Sequence, residues 1–219
     1  MTAAELRLRV RFYLNQLASP RVDDIVHINQ GLNAAQVKFI EDRVDNIKQA
    51  AFHNRKVFFE AVERVRSELY TIVITPAPIA AVANVIALPV PPSPFPFYYE
   101  LALALNYSNG QTEWSTPKSW NEFQELERNS FTKPSVEYPV HVRSNLGMTA
   151  YFGQTVLTLT SGTLTYIFLP PAIDVTTGVT SVLPAVTHEE LCEIAAHIIA
   201  GTYDDFRKSQ LMEKQIEED

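Results

Sequence analysis

The chain contains one cysteine, Cys192, in 219 residues, which excludes an intrachain disulfide and any zinc site built from several thiolates. Glycine is scarce as well. The seven glycines are scattered and none falls in a G-x-x-x-x-G-K-[ST], G-x-G-x-x-G or G-x-S-x-G pattern, so the phosphate cradles and the nucleophile elbow that those motifs build are missing. No uncharged apolar run approaches the roughly 18 residues of a membrane span. The opening MTAAELRLRV lacks the apolar core of a secretory signal, so a reducing cytoplasm is the expected site of synthesis and folding. Positive charge is in deficit: 18 Lys+Arg stand against 25 Asp+Glu, a net charge of −7. Such a chain repels phosphate backbones, which argues against a sequence-reading nucleic-acid binder. The balance reverses along the chain, from 11 basic and 8 acidic side chains in the first 66 residues to 3 and 9 in the last 33.

What is present reads as helices, then strands, then one helix. Thr2 and Glu5 form a capping box, and Leu6, Val10, Tyr13, Leu14 and Leu17 recur at helical spacing up to Ser19-Pro20. A short segment from Val22 to Gln30 stops at Gly31, which suits a helix C-terminal glycine. Asn33 and Gln36 then repeat the cap logic before a long apolar series, Val37, Ile40, Val44, Ile47, Ala51, Phe58, Ala61, Val65 and Leu69. A helix that long exceeds the usual globular length, which predicts a break near Phe52-His53-Asn54, with packing against another copy of the chain left open as the alternative. Tyr70–Thr75 is a β-branched strand pattern, and seven of the 14 prolines lie between Pro76 and Pro96. Pro89–Pro96 reads as a stiff, extended surface connector. Phe97–Tyr107 resumes a strand and Glu122–Arg128 a short helix. Met148–Leu159 and Thr163–Leu169 read as two strands around a hairpin turn at Ser161-Gly162. Thr187 and Glu190 form a further capping box, opening a helix whose Leu191, Ile194, Ala195, Ile198 and Ile199 share one face. The order predicts an α+β fold. It has N-terminal helices over 1–69, a β-rich region over 70–186, and a C-terminal amphipathic helix with an acidic tail over 187–219 that docks back. The three form one structural domain.

Catalytic chemistry finds little purchase. His188-Glu189 begins like the H-E-x-x-H of a zinc protease, but the position four residues on is Cys192. Glu193 and His197 are also four apart, on a face about 100° away, so the four side chains do not converge. Cys192 is flanked by Glu189, Glu190 and Glu193, a setting that raises a thiol pKa and makes a poor nucleophile. His27, His53 and His141 are isolated in sequence. The expectation is therefore no catalytic residue, no metal and no cofactor. By contrast Phe95, Phe97, Tyr98, Tyr99, Trp114, Trp120, Phe123 and Phe131 crowd one stretch, a mixture of core and interface material.

A set of ordered landmarks resembles a known family. Leu32-Asn33-Ala34-Ala35-Gln36-Val37-Lys38-Phe39-Ile40 is similar to that family's helix opening. Asn129-Ser130-Phe131-Thr132-Lys133-Pro134, Tyr138-Pro139-Val140 and Leu169-Pro170-Pro171 follow in the family's order. Thr187-His188-Glu189-Glu190-Leu191-Cys192-Glu193-Ile194-Ala195-Ala196 is similar to its terminal helix. The chain thereby resembles the head-to-tail connector, or neck ring, proteins of crAss-like podoviruses infecting Bacteroides. One departure is Pro94-Phe95-Pro96-Phe97-Tyr98-Tyr99, which lacks the family's aspartate at this place.

The resemblance implies a non-enzymatic virion protein, assembled in the host cytoplasm. It would form a closed, dodecameric ring between portal and tail, with the genomic DNA passing through the lumen without sequence-specific binding. Its partners would be further copies of itself, the portal protein and adjacent neck or tail rings, with no membrane. The expected interface residues are Phe95, Phe97, Tyr98 and Tyr99 of the proline-aromatic segment and Ser161 and Gly162 of the hairpin. Asp204, Asp205, Lys208, Glu213, Glu217 and Glu218 of the tail complete the set. Two other readings stay open, a monomeric peptide- or glycan-binding module and a hydrolase with an unrecognised site.

Overall fold

A computed structural model describes residues 1–17, 25–51, 55–89, 96–129, 131–145, 147–153 and 157–217, with only the backbone described from 203 onward. In chain order the elements are α1 (Ala3–Gln16), α2 (Ile25–Ala51), α3 (Arg55–Glu68), β1 (Val73–Ile74), β2 (Ile79–Val82), β3 (Val85–Ile86), β4 (Phe97–Tyr107), β5 (Thr112–Pro117), α4 (Trp120–Arg128), β6 (Val140–Ser144), β7 (Gly147–Tyr151), β8 (Leu159–Phe168) and α5 (His188–Glu217), the last preceded by a 3-10 turn at Ala185–Thr187. The fold is mixed α+β, as the element order in the sequence suggested. Two compact units divide it, Met1–Asp45 with Pro170–Asp219, and Asn46–Leu169. The division falls inside α2 and at Pro170. Phe39, Ile40 and Val44 of α2 are buried ahead of it.

In the first unit, α1 opens with the capping box expected from its sequence: Thr2 Oγ1 accepts from the Glu5 N–H, and the Glu5 carboxylate accepts from the Thr2 N–H at 2.7 Å. Leu6, Val10 and Leu14 are buried on one face. The expected helix end at Ser19-Pro20 lies outside the described residues, as do the expected break at Phe52-His53-Asn54 and residues 22–24 of the segment Val22 to Gln30, whose remainder opens α2. Gly31 does not end a helix. It lies within α2, where a Cβ would come within 2.5 Å of the Ile199 side chain, so the glycine is used for close helix approach.

Asn33 and Gln36 are not caps either. With Asn29 they form an i, i+4, i+7 row of amides that hold the chain returning through 171–175. Asn29 Oδ1 accepts from Val175 N–H at 3.0 Å, and Asn33 Oδ1 accepts from Ile173 N–H at 2.7 Å. Asn33 Nδ2 donates to Ile173 O at 3.0 Å, and Gln36 Nε2 donates to Pro171 O at 3.1 Å. The box expected at Thr187 and Glu190 is not formed, because the Thr187 hydroxyl donates to Pro184 O at 2.8 Å and the Glu190 carboxylate pairs with Arg43. The buried face of α5 is Leu191, Cys192, Ala195, Ala196 and Ile199. Ile194 and Ile198, expected at its centre, are only half-buried.

The second unit is a seven-stranded barrel. Neighbouring strands run β8-β2-β3-β7-β6-β5-β4, and β4 pairs again with β8 to close it, while β1 lies alongside β8. Every pairing is antiparallel except β5–β6. The phase of β4 follows its sequence: Leu103 and Leu105 oppose Leu164 and Gly162, and Leu101 is taken up where the register shifts. α3 packs against β4, with Phe58, Val62 and Val65 buried.

Ser161-Gly162 is therefore not a hairpin turn. It lies in the middle of β8, opposite Asn106 and Leu105 of β4 and Ala80 and Ile79 of β2. A Cβ on Gly162 would come within 2.1 Å of Ile86 Cδ1, so the glycine makes room for a core side chain. The strand expected at Tyr70–Thr75 contracts to Val73–Ile74. Pro76 and Pro78 have no N–H to continue the ladder, and pairing with β8 resumes at Ile79 with the register moved by one residue. α4 begins earlier than expected, at Trp120, because Ser119 and Glu122 form a capping box.

These contacts make two glycines respond oppositely to alanine. At Gly147, with φ of 143°, a Cβ would lie 2.2 Å from Ile86 O, whereas at Gly201 nothing lies within 4 Å. Gly147→Ala should cost about 3 kcal/mol through overpacking and strain. Gly201→Ala should stabilise by up to about 1 kcal/mol through helix propensity. Urea denaturation of the two variants checks both signs.

Candidate functional site

The start of α5 was the sharpest chemical candidate in the sequence, and the fold separates its members. His188 and Cys192 point inward and are buried, while Glu193 and His197 are exposed. His188 Nδ1 accepts from the Met1 nitrogen at 3.0 Å, and Nε2 donates to Leu183 O at 3.0 Å. Both ring nitrogens are thus occupied in the neutral form, and burial, the largest cause, lowers the pKa of His188. Burial likewise pushes the Cys192 thiol up to about 12, with the nearby Glu189 charge adding to it. The Glu189 carboxyl is held below its ordinary range by Arg9, which bonds it through two nitrogens, and by the Tyr13 hydroxyl at 3.1 Å. The result is a helix start tied to α1 and α2 by ion pairs. Among the described residues no group of three or more His, Cys, Asp or Glu is placed to hold a metal.

A polar cluster that sequence spacing did not reveal lies inside the barrel. His141 of β6 shares Nδ1 with Ser115 Oγ of β5 at 2.8 Å, and its Nε2 meets Glu100 of β4 in a short hydrogen bond. Ser115 and His141 are 0% and 1% exposed. Three neighbouring strands each contribute one member. The cluster crosses the β5–β6 seam, which has only two register pairs, Thr116 with Val140 and Pro117 with His141.

Hydroxyl, imidazole and carboxylate in a row have the connectivity of an activated nucleophile. Here the hydroxyl is buried in the core, and the three side chains link β4, β5 and β6 by hydrogen bonds across the seam. The signal for it in sequence was slight: one polar residue at an inward position of each strand, most plainly His141 between Val140 and Val142.

A cavity of about 400 Å³ opens beside α4, lined by Phe123, Tyr151, Phe152, Asn84, Glu127 and Lys133. The Tyr151 and Phe123 rings stack at 3.8 Å on one side of it. The expected interface residues are scattered. Phe97, Tyr98 and Tyr99 are half-buried at the start of β4, with Phe97 between the Tyr166 ring at 5.2 Å and the Arg143 guanidinium at 4.9 Å. Ser161 and Gly162 belong to the barrel wall. Phe95 and Glu218 lie outside the described residues, and Asp204, Asp205, Lys208, Glu213 and Glu217 are on α5 beyond the described side chains.

Two measurements probe these groups. The unfolded chain binds a proton at position 188 more readily than the folded one. The stability from the neutral imidazole is therefore complete above the ordinary histidine pKa of about 6.5 and is lost as pH falls below it. His188→Gln should flatten that part of the dependence, read from urea midpoints at pH 7.5 and 5.0. In the barrel, His141→Ala leaves the Glu100 carboxylate and the Ser115 hydroxyl without their partner and should cost about 2–4 kcal/mol. Ser115→Ala should cost about half as much, as measured by denaturation at neutral pH.

No protein-family model matches the chain, and no curated protein matches it in sequence.

Proposed function

We propose that the protein is a structural component of a phage neck, a ring subunit that joins portal to tail and surrounds the DNA channel. The observation that carries this reading is the length of α5. The helix runs from His188 to Glu217, 30 residues in all, about twice the length of α1 or α3. At 1.5 Å per residue the part beyond Thr202 adds about 22 Å. Helices of this kind draw most of their stability from packing of one face, and in this reading the second half finds that packing in the assembly. In this reading the first half of α5 docks back on its own protomer, and the acidic second half reaches the portal or the next ring.

The ordered landmarks of the sequence and its net charge of −7 support the same reading. A negatively charged lumen lets DNA pass without gripping it. Ring closure requires a head-to-tail contact whose rotation returns to the first subunit. The reading assigns no catalytic residue, cofactor or metal, and places the protein in the virion after assembly in the host cytoplasm. The cavity beside α4, with its stacked aromatic wall, favours the second reading, a monomeric module that binds a peptide or glycan.

Electron microscopy of the purified protein mixed with its portal should show twelve-fold rings seated on the portal. A protein that remains monomeric and unbound overturns the proposal. Deletion of residues 208–219 should leave the protomer folded but give filled heads without tails, and portal binding should weaken with salt because exposed charges are screened over about 8–10 Å.

A further inference from the structure

Arg55, at the start of α3, draws three separate segments of the barrel unit into one surface. Its guanidinium donates to Trp114 O at 2.9 Å and to Glu137 O, and pairs with the Glu113 carboxylate at 3.3 Å. The same group lies 5.6 Å from the Phe59 ring and 5.2 Å from the Tyr138 ring, and the Phe59 and Trp114 rings are 6.1 Å apart. Trp114, Phe59, Arg55 and Tyr138 thus form a continuous strip. Its two ends are open to solvent, Trp114 at 39% and Tyr138 at 63% exposure. Trp, Tyr and Arg are the side chains that carry most of the energy in protein interfaces. Arg55 has its donors committed to fixing the strip, whereas the Trp114 indole N–H and the Tyr138 hydroxyl have no partner among the described residues. A row of aromatic faces with free donors fits one kind of ligand well: an uncharged polyproline II segment. Its rings stack on the aromatics, and its unpaired carbonyls accept the donors.

The sequence contains one segment of that composition. Pro89–Pro96 contains five prolines, no charge and two overlapping P-x-x-P spacings, Pro89 with Pro92 and Pro91 with Pro94. A polyproline II helix has three residues per turn, so a P-x-x-P spacing is the one that would bring each pair onto one face. We propose that the Trp114–Phe59–Arg55–Tyr138 strip receives the Pro89–Pro96 segment of a second copy of this chain, making a head-to-tail contact between neighbouring subunits. This inference rests on the ring reading and names one of its contacts.

The test uses the full-length protein with Trp120→Phe, which leaves Trp114 as the one tryptophan of the two in the chain. A synthetic peptide of sequence LPVPPSPFPF, residues 88–97, should shift the Trp114 emission to the blue and saturate. Tyr138→Ala should raise the Kd at least tenfold, and a control peptide with every proline replaced by alanine should not bind. No saturable shift up to millimolar peptide, or equal binding of the control, overturns the docking site. Sedimentation velocity at rising concentration then identifies the occupant. Self-association should be at least tenfold weaker in Pro92→Ala/Pro94→Ala and in Trp114→Ala. A protein that binds the peptide but stays monomeric at every concentration overturns the second copy as the occupant and assigns the strip to a proline-rich partner. That outcome leaves the ring reading to stand or fall on the portal mixture.

Discussion

The barrel depends on room for one side chain. Ile86 is the second residue of a strand only two residues long, and that strand is what connects β2 to β7 in the closed order. Its Cδ1 fills the space beside Gly162, and its carbonyl oxygen stands where a side chain at 147 would have to go. With so few ladder bonds at β3, closure on that side is a matter of packing, and interior packing tolerates little change in volume. Two of the seven glycines are thus fixed by a single isoleucine distant from both in sequence.

The other thin place in the wall is handled by different means. β5 and β6 run parallel over two register pairs, and here the fold places buried hydrogen bonds across the join in the form of Glu100, His141 and Ser115. Backbone bonds extend the join slightly, from Thr116 N–H to Pro139 O and from Lys118 N–H to His141 O. Apolar packing has no directional preference, whereas a network with each hydrogen-bonding partner in place specifies one register. The barrel therefore holds one seam by shape and the other by direction.

What could be read from the sequence was whatever local chemistry decides. The Thr2–Glu5 cap, the long β4 pattern and the apolar face of α1 were legible, because neighbours within four residues determine them. Gly31 and Ser161-Gly162 carry strong local signals for an end or a turn and are overruled by partners far along the chain, Ile199 for the first and Ile86 for the second. Thr187 is instead diverted locally, by its bond to Pro184 in the 3-10 turn leading into α5. The polar cluster in the barrel was hidden because its members are 26 and 41 positions apart and meet only once the strand order is known. Ser119 and Glu122, with the same spacing as Thr2 and Glu5, fix the start of α4 by the same local means.

The amide row on α2 has a consequence for how the chain moves. Residues 171–173 have no regular secondary structure, and a backbone in that condition ordinarily opens to water independently of its surroundings. Here Asn29, Asn33 and Gln36 offer donors and acceptors at the pitch of a helix turn, so the helix surface serves the passing chain as a strand edge would. The backbone N–H groups of Ile173 and Val175 are bonded to side chains anchored on a helix. They are released only when those side chains turn away or the helix itself frays, so an irregular stretch inherits the timescale of the helix that holds it.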